Sequence, residues 1–172
     1  MSARSALDAL YRAEMKALYG FLWKLGATES DMEDLVHDVF VTAARRWDSY
    51  DTSRPARPWL MGIAFRVFSD ARRSKRVAEP MPVITDERPA PDDSVAEQQG
   101  RRILQAALSS LPDERRTAFV LHDLEGLSVN EVSELMRCPA PTTYSRLKLA
   151  REEVARAVQR YRQEEARRGG VA

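Results

Sequence analysis

The sequence predicts an all-α protein made of two small helical domains that a flexible acidic linker joins. Apolar residues recur at three- and four-residue steps in both halves of the 172-residue chain, which is the spacing of one helix face. No segment shows the alternation of apolar and polar residues that is typical of a half-buried strand. Residues 77–100 interrupt the helical pattern with four of the nine prolines and little apolar periodicity.

The predicted domain limits follow from that break. We assign the first domain to residues 1–76, the linker to 77–100 and the second domain to 101–165, and we expect a disordered tail at 166–172. The linker holds six acidic residues and one basic residue, and fully stretched it would reach roughly 80 Å. The two domains are therefore expected to act at separate sites.

Three helices are predicted in the first domain. Gly26 is expected to end the first helix, because glycine is favoured just after a helix. Ser30 and Glu33 form a capping-box pattern at the start of the second helix, and Pro58 stands in the first turn of the third. The stripe that predicts the first helix consists of Leu7, Leu10, Tyr11, Met15, Leu18, Leu22 and Leu25.

Four helices are predicted in the second domain. One spans about residues 96–111, and the next continues to Gly126. Ser128 and Glu131 form a second capping-box pattern before a short helix. A turn with two prolines follows, and a last long helix begins at about Thr142.

The composition argues against several classes of function. Cys138 is the only cysteine and the chain has two histidines, so we expect no internal disulfide and no metal site. We also expect no cofactor and no catalytic residues. No apolar run is long enough to cross a bilayer, and the first ten residues lack the apolar stretch of a signal peptide. The expected location is the cytoplasm, without membrane insertion.

Charge is sorted into blocks along the chain, although the net charge is only +1. The net charge is −5 over residues 29–51, +6 over 54–76 and +3 over 101–172. Such blocks indicate partners of both signs, nucleic acid among them. The alternative interpretation is that they are ordinary solvated helix faces.

Residues 127–151 have the pattern of a helix-turn-helix, in which a short capped helix leads through a tight turn into a basic helix. The second helix of this motif enters the major groove, and its first residues face the base edges. Many helix pairs without a DNA role look similar, so the pattern alone leaves both interpretations open. The candidate DNA-binding residues are Thr142, Thr143, Tyr144, Arg146, Lys148 and Arg151.

Residues 54–76 are a second candidate for nucleic-acid binding, because they combine a basic helix with aromatic side chains. Arginine attracts the phosphate backbone, and aromatic faces accept stacked, unpaired bases. Aromatic residues at helical spacing more often belong to a core, and we favour that interpretation for Phe65 and Phe68. For Trp59 the two interpretations are balanced.

Residues 33–46 place Asp34 and Asp38 one turn apart on a helix that is otherwise largely apolar. Paired carboxylates occur in acid–base catalysis and in metal sites, but no suitably placed histidine and no nucleophile motif accompanies them. An acidic docking face for a basic partner is the preferred functional interpretation. A plain solvated face is the alternative.

These segments, in this order, closely resemble the extracytoplasmic-function sigma factors of bacterial RNA polymerase. The likeness covers nearly the whole chain except the linker and the last ten or so residues. It implies that the first domain is like sigma region 2 and the second like sigma region 4. The segments that carry it are DMEDLVHDVFVTAARRW (31–47), PWLMGIAFRVFSDARR (58–73), LPDERRTAFVLHDLEGLSVNEVSELM (111–136) and TTYSRLKLAR (142–151).

The resemblance also implies partners and roles. Region 2 would dock on the clamp helices of the polymerase β′ subunit through Asp34, Leu35, Asp38, Val39 and Phe40. It would capture the melted −10 element through Arg57, Trp59, Arg66, Arg72, Arg73 and Arg76. Region 4 would pack on the β flap and read the −35 element through the helix-turn-helix residues named above. An anti-sigma factor is a further candidate partner.

Three positions depart from the family pattern. Arg66 stands where asparagine is frequent, and Tyr144 stands where lysine is frequent. Arg137 stands where the turn usually has glycine, so it would need a left-handed conformation or another turn shape. The rival interpretations are a sigma mimic that sequesters an anti-sigma factor, a dimeric helix-turn-helix repressor or activator, and an enzyme.

Overall fold

The computed structural model describes residues 3–76 and 95–169, and every regular element within these ranges is helical. One compact unit holds the first range and a second unit holds the other. The all-α, two-domain prediction is therefore confirmed. The flexibility predicted for the linker concerns residues 77–94, which lie outside the described residues. Residues 95–100, which were assigned to the linker, belong to a helix.

The first unit is a three-helix bundle. Its helices are α1 (Ala3–Leu25), α2 (Glu29–Arg45) and α3 (Ala56–Arg76), and a 3₁₀ turn (Trp47–Ser49) follows α2. Each helix packs against the other two. Burial of their apolar stripes is the main source of stability. The core includes Leu18, Phe21, Leu22, Leu25, Val39, Ala43, Leu60, Met61, Ala64, Phe65 and Phe68.

The first unit confirms one predicted helix end and corrects another. Gly26 follows α1 with φ 102°, a conformation that glycine adopts without steric cost. The capping box predicted at Ser30 and Glu33 is wrong, because α2 begins at Glu29 with Thr28 as its N-cap. Ser30 lies inside the helix, and its hydroxyl is 3.0 Å from the Thr28 hydroxyl.

The second unit is built around one long helix. Its elements are α4 (Val95–Ser109), α5 (Asp113–Phe119) with a π-helical turn (Val120–Leu124), α6 (Val129–Met136) and α7 (Ala140–Gly169). Helices α4, α5 and α6 all pack on α7. Helix α7 begins slightly before the predicted Thr142 and continues through residues 166–169, for which the sequence had predicted disorder.

A buried arginine joins α4 to α5. Only 3% of Arg116 is exposed, and its Nε and Nη2 donate hydrogen bonds to the carbonyls of Leu108 (2.8 Å) and Leu111 (3.1 Å). These carbonyls lie at and just after the end of α4, where helical partners run out. Arg116 therefore ties α5 to the end of α4.

Candidate nucleic-acid interface

Helices α6 and α7 form the predicted helix-turn-helix. The capping box at the start of α6 is present, as predicted. The Ser128 backbone donates to Glu131 Oε2 (2.8 Å), and the Glu131 backbone donates to Ser128 Oγ (3.3 Å). Helix α6 ends at Arg137, which adopts φ 51° and ψ 46°, and the Cys138 amide then donates to the Ser133 carbonyl (3.1 Å). The left-handed cap thus exists without glycine.

The first turns of α7 divide the predicted DNA-binding residues into two groups. Thr143 is fully buried, and its hydroxyl lies 2.8 Å from Ser133 Oγ and 3.3 Å from Cys138 Sγ. A side chain in that position packs α7 against α6 and has no surface to offer to DNA, which differs from the predicted contact. Leu147 and Ala150 are buried on the same face.

The opposite face of α7 is open to solvent. Tyr144 is 63% exposed, Ser145 and Lys148 are also exposed, and Thr142 is half-buried. Because Lys148 lies four residues after Tyr144 and three after Ser145, these three side chains share one face, which carries one positive charge. This is the part of a recognition helix that meets the major groove.

Two arginines flank that surface, and both are paired with carboxylates. Arg146 Nη2 donates to Glu114 (2.6 Å), and its Nη1 lies 3.3 Å from Cys138 Sγ. Arg151 donates to Asp123 from Nη2 (2.7 Å) and Nε (3.1 Å), a hydrogen bond that raises the pKa of Arg151. Glu114 and Asp123 belong to α5 and its π-helical turn, so neither pair could be read from local sequence.

An aromatic cluster lies where the 3₁₀ turn meets the start of α3. The ring centroids of Tyr50 and Trp59 are 4.7 Å apart, and those of Trp47 and Trp59 are 6.0 Å apart, edge to face. The Tyr50 hydroxyl donates to the Arg54 carbonyl (2.5 Å) and so fixes the loop between the turn and α3. Trp59 is half-buried, whereas Phe65 and Phe68 belong to the core, as we favoured.

The basic residues of α3 lie on more than one side of the helix. Trp59, Arg66 and Arg73 follow at seven-residue steps, so they share one side, and both arginines are exposed. Arg72 lies over the Phe68 ring, 5.6 Å from its centroid, and Arg57 Nε donates to Glu14 (2.7 Å). Of the predicted −10 residues, Trp59, Arg66 and Arg73 therefore share one side of α3, over about four helical turns. Arg57 and Arg72 lie on other sides of α3, and the Arg76 side chain lies outside the described part of the structure.

The predicted docking residues of α2 also separate. Asp34 and Asp38 are exposed and lie one helical turn apart, whereas Leu35 and Val39 are buried in the core of the first unit. Phe40 is half-buried, and its ring centroid is 4.7 Å from that of Tyr11. Asp34 and Asp38 therefore form the accessible, charged side of α2, whereas Phe40, two residues after Asp38, lies on a different side. The aliphatic residues hold α2 in place.

Metal-ligand groups and membrane-spanning helices would indicate other kinds of site. Among residues 3–76 and 95–169, no group of three histidine, cysteine, aspartate or glutamate side chains is arranged to hold a metal ion. None of the helices within the same two ranges is long and apolar enough to cross a membrane.

A capped helix-turn-helix whose second helix exposes Tyr144, Ser145 and Lys148 is typical of DNA-binding proteins. Models of two sigma-70 regions match the chain, region 2 over residues 10–77 and region 4 over residues 101–154. The first match covers the three-helix unit, and the second covers most of the helix-turn-helix unit. The chain belongs to the sigma-70 family, within its extracytoplasmic-function group.

Relatives in other bacteria are similar over most of the chain. It is 31% identical over 159 residues to the ECF RNA polymerase sigma factor SigE of Mycolicibacterium smegmatis, covering 89% of this chain and 62% of that protein. It is 29% identical over 169 residues to the ECF RNA polymerase sigma-E factor of Haemophilus influenzae, covering 91% of this chain and 89% of that protein. The chain thus spans less than two thirds of the first relative.

Two solved structures have the same fold. The sigma factor RpoE of Bartonella quintana, in complex with the anti-sigma factor NepR, matches with a TM-score of 0.68 at 23% identity. The match covers 88% of this chain and 96% of that one. CnrH, in complex with the cytosolic domain of CnrY, matches with a TM-score of 0.62 at 23% identity, covering 91% of this chain and 89% of that one.

Proposed function

We propose that this protein is an alternative sigma factor that binds core RNA polymerase, recognises the −35 and −10 promoter elements and promotes DNA melting. The observation that carries the proposal is that two different nucleic-acid surfaces occur on two separate units. An exposed helix-turn-helix suits double-stranded DNA, and an aromatic cluster beside exposed arginines suits unpaired bases. A simple repressor needs only the first of these surfaces.

We assign recognition of the −35 element to the exposed face of α7. Tyr144 and Lys148 are predicted DNA-binding residues that are exposed on one face and can meet the groove, and the half-buried Thr142 precedes them at the start of α7. Lysine binds phosphate as a point charge, and tyrosine offers a hydroxyl and an aromatic face. Arg151 can join them by exchanging Asp123 for a phosphate, since both partners are anions.

We assign capture of the −10 element to Trp59 and the arginines that share its side of α3. A base that leaves the duplex can stack on the exposed part of the Trp47–Tyr50–Trp59 cluster, while Arg66 and Arg73 attract the strand. Arg57, Arg72 and Arg76 would contribute positive charge along the helix. Arginine at position 66 offers a donor fork to the base, so the base preference should differ from that of relatives with asparagine.

We assign polymerase binding to the acidic face of α2, with the clamp helices of the β′ subunit as the partner. Asp34 and Asp38 supply charge complementary to a basic surface. Phe40 is partly exposed on another side of α2, where it would add apolar contact. Leu35 and Val39 contribute by holding α2 in the bundle. The second unit would contact the β flap through its earlier helices. We propose that the protein acts in the cytoplasm, where the polymerase is.

Anti-sigma factors are a further proposed class of partner. The two solved structures described above each contain a second chain, and in one of them a sigma factor is bound to an anti-sigma factor. We assign no covalent chemistry to the protein, since its proposed action consists of binding steps alone.

The proposal is tested by complex formation between the full chain and core polymerase freed of sigma. We expect co-elution on gel filtration, and we expect Asp34→Lys/Asp38→Lys to abolish it while the circular dichroism spectrum stays unchanged, because both side chains are exposed. Glu164→Lys, on α7, is a matched control with the same kind of charge change and should still co-elute. Normal assembly by the double variant would refute the assigned docking face.

A further inference from the structure

A chain of polar contacts runs through the turn of the helix-turn-helix. It begins at Ser133 Oγ, passes to Thr143 Oγ1 at 2.8 Å and continues to Cys138 Sγ at 3.3 Å. Arg146 Nη1 contacts the same sulfur at 3.3 Å, and Arg146 Nη2 donates to Glu114 at 2.6 Å. The contacts therefore connect α6, the turn and α7 to the start of α5.

The burial of these groups separates them from the exposed recognition surface. Thr143 is fully buried, Ser133 is 9% exposed and the Arg146 side chain is 20% exposed. Polar groups in such positions are normally hydrogen-bonded, because an unmet donor or acceptor is costly away from water. Arg146 lies beside the buried side of α7, since Thr143 is three residues before it and Ala150 four residues after it.

The turn that these contacts cross has no glycine at its left-handed position. Arg137 occupies that position with φ 51°, where a side chain is disfavoured, so other contacts must hold the turn in this shape. The Cys138 amide bonds to the Ser133 carbonyl, and the Cys138 sulfur contacts both Thr143 and Arg146. The residue after the strained position is thus fixed from two sides.

We propose that Arg146 is a positioning residue, held by Glu114 and Cys138, which sets the orientation of α7 for −35 recognition without itself contacting DNA. The inference rests on the proposed promoter-binding function and changes the role of one residue within it. Arg146 would act through Lys148 and Tyr144, which its pairing keeps aimed at the groove. Glu114, a carboxylate that would repel a DNA phosphate, becomes a residue that promotes DNA binding.

The sign of the Glu114 effect distinguishes this proposal from a direct contact. If Arg146 bound a phosphate, Glu114 would compete for it, and Glu114→Gln would strengthen DNA binding. If Arg146 positions α7, Glu114→Gln weakens specific binding, because the pairing that holds the arginine is lost. Glu114 is 70% exposed, so this substitution disturbs no core packing even if an Arg146 variant fails to fold.

The test uses holoenzyme assembled from core polymerase and the full chain, with a −35 duplex taken from a start site mapped by run-off transcription. Glu114→Gln, Arg146→Gln and the double variant are titrated over a salt series. We expect each single variant to lose at least about fivefold in specific affinity, the double variant to lose no more than the larger single loss, and the salt slope to stay at the wild-type value.

A control variant shows what a direct contact looks like. Lys148→Gln should reduce the slope of log affinity against log salt by about 0.9, as expected for one lost phosphate contact. A similar fall with Arg146→Gln, or unchanged or tighter binding with Glu114→Gln, would overturn the positioning role. Failure of the proposed function itself looks different, because the wild-type chain would then form no holoenzyme or show no preference for the duplex.

Discussion

The rings of Tyr50 and Trp59 lie 4.7 Å apart between centroids, with an angle of 30° between their planes. Tyr50 is fixed by its hydrogen bond to the Arg54 carbonyl, so Trp59 is supported from the loop side while it stays partly exposed. A supported, half-buried ring is well placed to stack with a base, because little side-chain freedom remains to be lost on binding.

We therefore predict that Trp59→Ala weakens binding of a single-stranded −10 oligonucleotide by holoenzyme by about 5- to 150-fold, the range for one lost base–aromatic stack. Trp59→Phe, which keeps a ring, should recover most of the affinity. Permanganate footprinting of the promoter should rank open-complex formation in the same order, with the wild type first, Trp59→Phe second and Trp59→Ala last. Equal footprints for the alanine variant and the wild type would show that Trp59 takes no part in melting.

The left-handed Arg137 gives a prediction about stability. The conformation costs a side-chain-bearing residue roughly 1–2 kcal/mol, and the extra freedom of glycine in the unfolded chain offsets about 0.4–1 kcal/mol of any gain. We expect Arg137→Gly to stabilise the second unit by about 0.5–1 kcal/mol.

Urea unfolding can isolate that unit, because all three tryptophans belong to the first one. The second unit should appear as a transition in circular dichroism that tryptophan fluorescence does not follow. Arg156→Gly, at an exposed position inside α7, should be destabilising in the same assay. A lower midpoint for Arg137→Gly would contradict the strain assigned to this turn.

The ion pair between Lys75 and Asp31 predicts a pH effect in the first unit. Burial raises the pKa of Asp31, but hydrogen bonds from Lys75 and Thr28, together with the Lys75 charge, outweigh it and leave the pKa lowered. A carboxyl whose folded pKa is depressed contributes stability above its unfolded pKa. That contribution is lost as the pH falls through the folded pKa.

We predict that Lys75→Gln raises the pKa of Asp31, as followed by NMR of its carboxyl carbon between about pH 2 and 6. The acid-sensitive part of the first unit's stability should shrink accordingly. Arg73→Gln removes a nearby positive charge that does not bond to Asp31, and it should leave the titration in place. An unchanged Asp31 pKa in the Lys75 variant would mean that the pair is not formed in solution.

Lys148 carries the prediction for duplex DNA. It is exposed on the recognition face, so Lys148→Gln should weaken binding to all duplexes to a similar extent. Arg160, three turns further along α7, is also exposed but lies away from the start of the helix, and Arg160→Gln should have no effect on affinity for a promoter duplex. Equal losses for the two variants would point to non-specific attraction by the whole helix.

Local signals in the sequence predicted much of the fold. Helical periodicity defined the two all-α units, and the Ser128–Glu131 pattern predicted a capping box that is present. The same kind of pattern at Ser30 and Glu33 was misleading, because the N-cap of α2 is Thr28, two residues before Ser30. A capping signature shows which residues are compatible with a cap, and the preceding turn decides which of them takes the position.

Local sequence signals predicted less of the candidate site. The sequence pattern of the basic helix did not distinguish the buried face of α7, with Thr143, from the exposed face, with Lys148. The partner of Arg146 lies 32 residues away on α5, and no local pattern connects the two. The same limit applies to Arg116, whose carbonyl partners become apparent only when α4 and α5 are packed.

Run-off transcription with purified core polymerase on genomic DNA fragments, with the transcript starts sequenced, tests the central claim most directly. We predict discrete starts that appear only when this protein is added, share two upstream elements, and are lost with the Asp34→Lys/Asp38→Lys variant. Transcription that is the same with and without the protein, in a reaction where another sigma factor is active, would contradict the account.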